Sequence, residues 1–390
     1  MSRWVALRII GVLLVGFLLV GCDSTPQQAP EVLTIGVVAP LEGEYGDLGR
    51  SVRNGVVPAA EAWNAAGGAL GREIQLVLRD SRCDFLEGRA AAQAVLDEGA
   101  LFVIGAVCAD ASEGVAQVVS EAGALQISPA SVAAGLTLDA DQEVRPLVFR
   151  MPVIDVDQGT IAAVFAREVL GAQRVGIVRA SGSTYGSTLA TAFQVAFEEA
   201  GGEVVIQSTY DQNAPTFFEA LEPVRDANPD LLYLPGYHTV ANLLVAQARS
   251  FGLLQPILGS DGWDSHALDL GAVEGAYYPT HFYADEPSTA VRSWVELYEQ
   301  RYLAVPDAPA TLSYDAANML FTAIQETGSF EPLFVAQTLA SLTFEGVSGT
   351  TVFSAVHNPV RTMVVVRVEG GRLAYVGRFG LPEAPAPDGD

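Results

Sequence analysis

Short β-branched apolar runs alternate with longer amphipathic stretches along most of this 390-residue chain. The runs at 32–38, 74–79, 101–104 and 125–128 read as strands, and the stretches at 49–65, 85–98 and 112–122 read as helices. Such alternation predicts βαβ units and a parallel sheet with helices on both faces. Pro58 falls inside the first helix, where it removes a backbone donor and is expected to bend the rod. After Pro146 the pattern begins again, with strands at 174–178, 203–209, 231–234 and 256–258. Helices at 155–170, 184–200, 216–227 and 239–251 separate them, two of these ending at Gly201-Gly202 and Asn228-Pro229. The last third predicts helices at 289–302, 311–326 and 333–341, then a hairpin of 362–368 with 373–379. The fold class expected is α/β, with two lobes that are each a doubly wound, mostly parallel sheet.

The chain opens differently. Arg3 and Arg8 precede a twelve-residue apolar run, 9–20, which is short for a membrane span and suits an export signal. Gly21-Cys22 after that run resembles the lipobox of bacterial lipoproteins. The resemblance implies a signal peptide over 1–21, a lipid on Cys22 and a polar tether over 22–31. Asp23 resembles the residue that keeps lipoproteins on the inner membrane of some double-membraned bacteria. The plainer alternative is an ordinary secretory signal with a chance cysteine. No later segment reaches eighteen apolar residues, and 382–390 reads as a disordered, Pro-rich tail.

Composition narrows the partners. All 21 basic residues are arginines; without Arg3 and Arg8, 19 face 46 acids, a charge near −27. Nucleic acid is a poor partner for such a surface. Apart from Cys22 the only cysteines are Cys83 and Cys108, and an isolated pair in an oxidising compartment most simply forms one disulfide. A metal site is the weaker alternative, because two thiols twenty-five apart with no nearby histidine lack the usual ligand set.

Ligands of open α/β sheets bind beyond the carboxyl ends of the strands. Loops there carry Tyr45, Asp110, Ser131, Tyr185, Tyr237, His238, Asp261 and Trp263. Aromatic rings with a few acids and little positive charge suit a small ligand bearing an ammonium group. Helix N-termini in the same loops offer backbone N–H donors to an anionic group. Bland roles compete: Tyr185 and Tyr237 as loop aromatics, Asp261 and Asp110 as helix caps, His238 as a surface polar residue, Trp263 as packing. Asp139, Asp141 and Glu143 read as a solvated acidic loop.

The stretches IGVVAPLEGEYGDLG from Ile35, VIGAVCAD around Cys108, ISPAS from Ile127, FRMPVIDVDQG from Phe149, TYG from Thr184, PGYH from Pro235 and GSDGW from Gly259 share one order and spacing. Together they resemble the type I periplasmic binding proteins of the branched-chain amino-acid class, which serve ABC importers. The resemblance implies lobe 1 over 32–150 plus 281–350 and lobe 2 over 151–280 plus 351–381. Three crossings would join them near 149–153, 276–282 and 349–354. It also implies roles. Tyr45 would flank the ligand's side chain, and Tyr185 and Tyr237 would close from the second lobe. Asp261 would pair with an α-ammonium, helped by the Ala130 carbonyl. The loop after Cys108 and the loop at 129–132 would hold an α-carboxylate.

Two departures bear on that carboxylate. Ala109 and Val132 stand where the family commonly has a serine and a threonine. Each missing hydroxyl removes about 1.5–3 kcal/mol of bonding to a charged group. Backbone N–H groups remain, and Ser131 is a substitute hydroxyl. The expected ligand is therefore an amino acid held mainly by backbone, or an amide or amine lacking that carboxylate.

No Gly-x-Ser-x-Gly elbow, phosphate loop or His-Glu-x-x-His motif occurs, and the four histidines are scattered. A binding protein without cofactor or metal, partnered by an ABC permease, is the expectation. The alternative is a sensor subunit presenting the same ligand class to a signalling receptor.

Overall fold

The computed structural model describes residues 32–43 and 45–382; the signal peptide, Cys22, the tether and the tail beyond 382 lie outside the described residues. The first series runs β1 (Val32–Ala39), α1 (Gly46–Ala65), β2 (Glu73–Asp80), α2 (Phe85–Asp97), β3 (Phe102–Gly105), α3 (Ala109–Ala122), β4 (Leu125–Ser128) and β5 (Val148–Arg150). Its five strands form one all-parallel sheet in the order β2-β1-β3-β4-β5. Alternate residues supply two cores. Ile35, Val37, Phe102 and Ile104 face α1 and the later helices, whereas Val38 and Val103 face α2 and α3. Burial on both faces is why these strands read as unbroken apolar runs. Each fully buried Val, Leu, Ile or Phe contributes about 1.5–3 kcal/mol.

The second series runs α4 (Asp155–Glu168), β6 (Arg174–Ala180), α5 (Thr184–Glu199), β7 (Glu203–Tyr210), α6 (Phe218–Ala227), β8 (Leu231–Tyr233), α7 (His238–Ser250), β9 (Ile257–Leu258) and β10 (Tyr277–Thr280). The chain then returns to the first lobe through α8 (Thr289–Tyr302), α9 (Ala308–Thr327) and α10 (Pro332–Ser341). Helix α9 begins three residues earlier than the pattern suggests, because the Asp307 side chain accepts from Ala310 N at 2.9 Å and Pro309 suits the first turn. Helix α1 runs unbroken through Pro58.

Three short strands follow: β11 (Phe344–Gly346), β12 (Gly349–Phe353) and β13 (Pro359–Val360). They form a small antiparallel sheet of their own. Only β14 (Met363–Glu369) and β15 (Arg372–Phe379) join the second sheet, whose order is β15-β14-β10-β9-β8-β6-β7. The third crossing thus lies at Arg361 and Thr362, not at 349–354. Residues 351–360 stay with the first lobe, because Phe353 packs on its core and edge-on to Phe149.

Cys83 and Cys108 are joined in a disulfide with Cα atoms 5.2 Å apart. It ties the loop after β2 to the residue that precedes α3.

Candidate functional site

The second lobe builds its half of the site from three loop ends. The Ser183 hydroxyl accepts from Gly186 N at 3.0 Å and starts α5, which places Tyr185 in the first turn. Tyr237 stands one residue before α7, and its ring stacks on Tyr185 with centroids 4.8 Å apart. Ser260 is fully buried; its hydroxyl donates to Gly236 O at 2.9 Å and accepts from Gly236 N at 3.0 Å, clipping the loop after β9 to the loop after β8. Asp261 follows directly.

Asp261 is held on both oxygens. The Tyr185 hydroxyl donates to Oδ1 and itself accepts from Gly262 N at 3.0 Å. Gln158 Nε2, from α4, donates to Oδ2 at 2.9 Å and to Val153 O at 2.8 Å. His281 Nε2 lies 3.5 Å from the same Oδ2. A β-carbon at Gly262 would stand 2.7 Å from Gly236 O and 3.1 Å from the Tyr185 hydroxyl, so only glycine lets these loops meet.

The electrostatics fit a cationic guest. Burial and the Asp261 charge push the Tyr185 hydroxyl well above its ordinary range, so it stays a donor. Burial lowers the His281 pKa against the opposing pull of Asp261, which leaves the imidazole neutral at neutral pH. Asp155, in the first turn of α4, is raised to about 6, chiefly by burial, with the Arg150 charge opposing and the Asp261 charge adding. Arg150 is fully buried and donates to Ala133 O. Asp261 is only partly buried, and its one ion-pair partner among the described residues is His281, so the carboxylate keeps charge available to an ammonium group.

The first lobe presents its own strand ends. Tyr45 immediately precedes α1; across the site the Tyr237 hydroxyl is raised well above its ordinary range, first by burial and then by the Asp261 charge, with Asp110 a smaller contributor. Ala109 and Asp110 form the exposed first turn of α3, whose N–H groups have no intrahelical acceptor. Ser131 is buried; its N–H donates to the Ser128 hydroxyl at 3.1 Å, and its own hydroxyl makes no hydrogen bond among the described residues. The Val132 carbonyl accepts from Asp155 N at 3.1 Å, which stitches the β4 loop to α4. Ala130 packs half-buried against the first-lobe core.

Trp263 is packing, not pocket wall. It is 1 % exposed, seated under Gly259, where a β-carbon would be 2.4 Å from its ring. Asp139 accepts from the N–H groups of Asp141 and Glu143, as a solvated turn does. Sequence reasoning missed Gln158, Asp155 and His281. The first two lie inside the quoted motif VIDVDQG, while His281 carries no local signal, since only the register of β10 delivers it to Asp261. A cavity of about 500 Å³ lies apart from these residues, between the second and third crossings, lined by Glu286, Ser348, Arg361 and Arg378 among others.

Two α/β lobes, three crossings and loops facing each other from both sheets define the type I periplasmic-binding-protein fold. Residues 32–372 match the periplasmic binding protein family, and the chain belongs to it. The leucine-, isoleucine-, valine-, threonine- and alanine-binding protein of Pseudomonas aeruginosa is 27 % identical over 330 residues, covering 83 % of this chain and 86 % of that protein. The Leu/Ile/Val-binding protein of Escherichia coli K12 is 29 % identical over 262 residues, 66 % of this chain and 70 % of its own length. A crystal structure of a leucine-binding protein from Thermotoga maritima superposes with a TM-score of 0.80 at 30 % identity, covering 90 % of this chain and 99 % of its own. A branched-chain amino-acid transporter substrate-binding protein of Streptococcus pneumoniae, solved with isoleucine, gives 0.80 at 26 % identity, covering 89 % and all of its chain. These relatives are solute-binding proteins rather than enzymes.

Proposed function

We propose that this chain is a lipid-anchored extracytoplasmic binding protein that carries a small amine-bearing solute to an ABC importer. The solute is an amino acid held at its carboxylate mainly by backbone, or an amide or amine without that group. The observation that carries this reading is Asp261, oriented on both oxygens by Tyr185 and Gln158 in a cluster without lysine. The names of the relatives, which bind leucine, isoleucine and valine, agree with an ammonium-bearing guest.

In this reading the ammonium group docks on Asp261 and the Ala130 carbonyl. Tyr185 and Tyr237 close over it from one lobe, Tyr45 from the other, and the first turn of α3 with Ser131 meets any anionic end. Closure adds contacts that exist only when the lobes meet, so cargo shifts the population toward the closed form. The residue spans 32–150 with 281–360 and 151–280 with 361–381 would be the moving bodies. Cys22 would hold the protein at the membrane through the tether. Palmitate labelling that is lost in Cys22→Ala tests the anchor; label retained in that variant removes it.

Titration calorimetry tests the cargo. L-Leucine and leucinamide should both bind, and 4-methylpentanoate, which lacks the ammonium group, should not. Equal affinity for 4-methylpentanoate would sink the assignment of Asp261. A true ligand at a hundred times its Kd adds about 2.7 kcal/mol of stability, which a melting curve resolves.

A further inference from the structure

Asp261 has a competitor for its charge inside the protein. His281 is 4 % exposed, and its Nε2 sits 3.5 Å from Asp261 Oδ2. Neither ring nitrogen makes a hydrogen bond among the described residues, so the imidazole is held by packing beside the carboxylate without being spent on another partner. We propose that protonated His281 and the cargo's ammonium group are alternative counter-charges of Asp261, so that capture of cargo expels a proton from the site. The proposal rests on Asp261 being the acid that receives the ammonium group.

The exchange balances. Once the pH falls below the His281 pKa, which burial holds under its ordinary value, the empty protein carries a proton on His281 and the imidazolium faces Asp261. When an ammonium group docks on Asp261, two cations would share one carboxylate in a dry pocket, and the proton leaves to solvent. Binding therefore weakens as the pH falls.

Other charges face this pair and set its range. Arg361, at the third crossing, opposes protonation of His281. It also donates to Ser348 O and, at 3.4 Å, to Met151 O at the first crossing. His281 directly follows β10, at the second crossing. Around Asp261 stand Asp155, with Arg150 and Asp157 beside it, Asp264, and the hydroxyls of Tyr185, Tyr233 and Tyr237. Asp155 titrates in the same direction as His281, because its protonation also removes negative charge near the guest. The two contributions need separate variants.

The experiment is calorimetry with L-leucine and leucinamide between pH 5 and 8, in buffers of different ionisation enthalpy. Wild type should release a proton on binding at the acid end, with the Kd rising up to tenfold per pH unit below the His281 pKa. His281→Gln should lose most of the acid-side weakening, read as the ratio of its own Kd at pH 5 to its own Kd at pH 8. Asp155→Asn should keep it. A His281→Gln profile as steep as wild type, or a flat one in Asp155→Asn alone, overturns the proposal. A second measurement needs no cargo: the His281 ring resonance, assigned with His281→Gln, is titrated in wild type and in Asp261→Asn. Removing the Asp261 charge should lower the His281 pKa; an unchanged value overturns the pairing. If neither amine binds at pH 8 while this shift is present, the cargo reading fails and the Asp261–His281 pairing stands.

Discussion

Removing the Cys83–Cys108 bond should destabilise the first lobe by an amount its position fixes. The bond spans 25 residues, and on the chain-entropy model a loop of that length is worth about 3.5 kcal/mol at 25 °C. If the described chain unfolds as one unit, an unfolding entropy of about 2 cal/mol/K per residue converts this to a drop in Tm of roughly 5 °C. If the first lobe melts by itself, about half the residues share the loss and the drop approaches 10 °C. The size of the shift therefore also reports whether the lobes unfold together. Cys108 immediately precedes α3, so the loss should fall on the first lobe. Scanning calorimetry on the oxidised protein, on the reduced protein and on the Cys83→Ala/Cys108→Ala variant measures it. A change below 1 °C in both reduced forms would refute the entropy argument for this loop.

Asp264 gives a pH-dependent stability. It accepts from the Thr280 hydroxyl at 2.6 Å, and burial, with help from the Asp307 charge, raises its pKa to about 7 from an unfolded value of 3.8. The folded state thus prefers the protonated acid, so stability is fullest below about pH 4 and is lost as the pH rises to about 7, by at most about 4 kcal/mol. Asp264→Asn should flatten this limb of the Tm–pH curve; an unchanged curve in the variant counts against it. Gly55→Ala would place a β-carbon 2.1 Å from Ala310 O, forcing α1 from α9 and costing about 1–3 kcal/mol in urea unfolding, and a neutral result would show that the helices slide freely. Ser131→Ala removes a buried hydroxyl that makes no hydrogen bond among the described residues, so the empty protein should be as stable or up to about 1 kcal/mol more so, while in the proposed reading leucine affinity falls. A loss of apo stability would assign that hydroxyl a structural partner instead.

How far the sequence foretold this depends on where each signal resides. The alternation of apolar runs and amphipathic stretches is a local property, and both series of β-strands follow it because their sheets are covered on two faces. That Tyr185, Tyr237 and Asp261 gather at one end of the second sheet follows from a parallel sheet delivering its strand-end loops to one side. The small sheet of β11, β12 and β13 was not, since its strands are two to five residues long and half-exposed, with little alternation to read. The same weak signal leaves the third crossing without a mark in the sequence. Trp263 was ambiguous because a loop aromatic and a core aromatic share one local sequence; the absence of a β-carbon at Gly259 decides it. Gln158 and His281 reach Asp261 from α4 and from the end of β10, across 103 and 20 residues of chain, and only tertiary register makes them neighbours.

The two halves of the site are unequal, and the inequality orders the binding event. Among the described residues, the side chains that hold or face the Asp261 carboxylate come from the second lobe or from the second crossing that leaves it: Tyr185, itself fixed by Gly262 N, Gln158 and His281. The carboxylate is therefore fully oriented before the lobes approach. The first lobe offers mainly backbone, in the first turn of α3, together with one unspent hydroxyl on Ser131, and these are worth little to a solvated guest in an open cleft. They gain strength only when closure removes water around them. A charged guest should accordingly dock first on the second lobe, with the first lobe supplying the affinity that depends on closure. In the proposed reading, the absence of side-chain hydroxyls at Ala109 and Val132 would weaken the closed state more than the initial encounter.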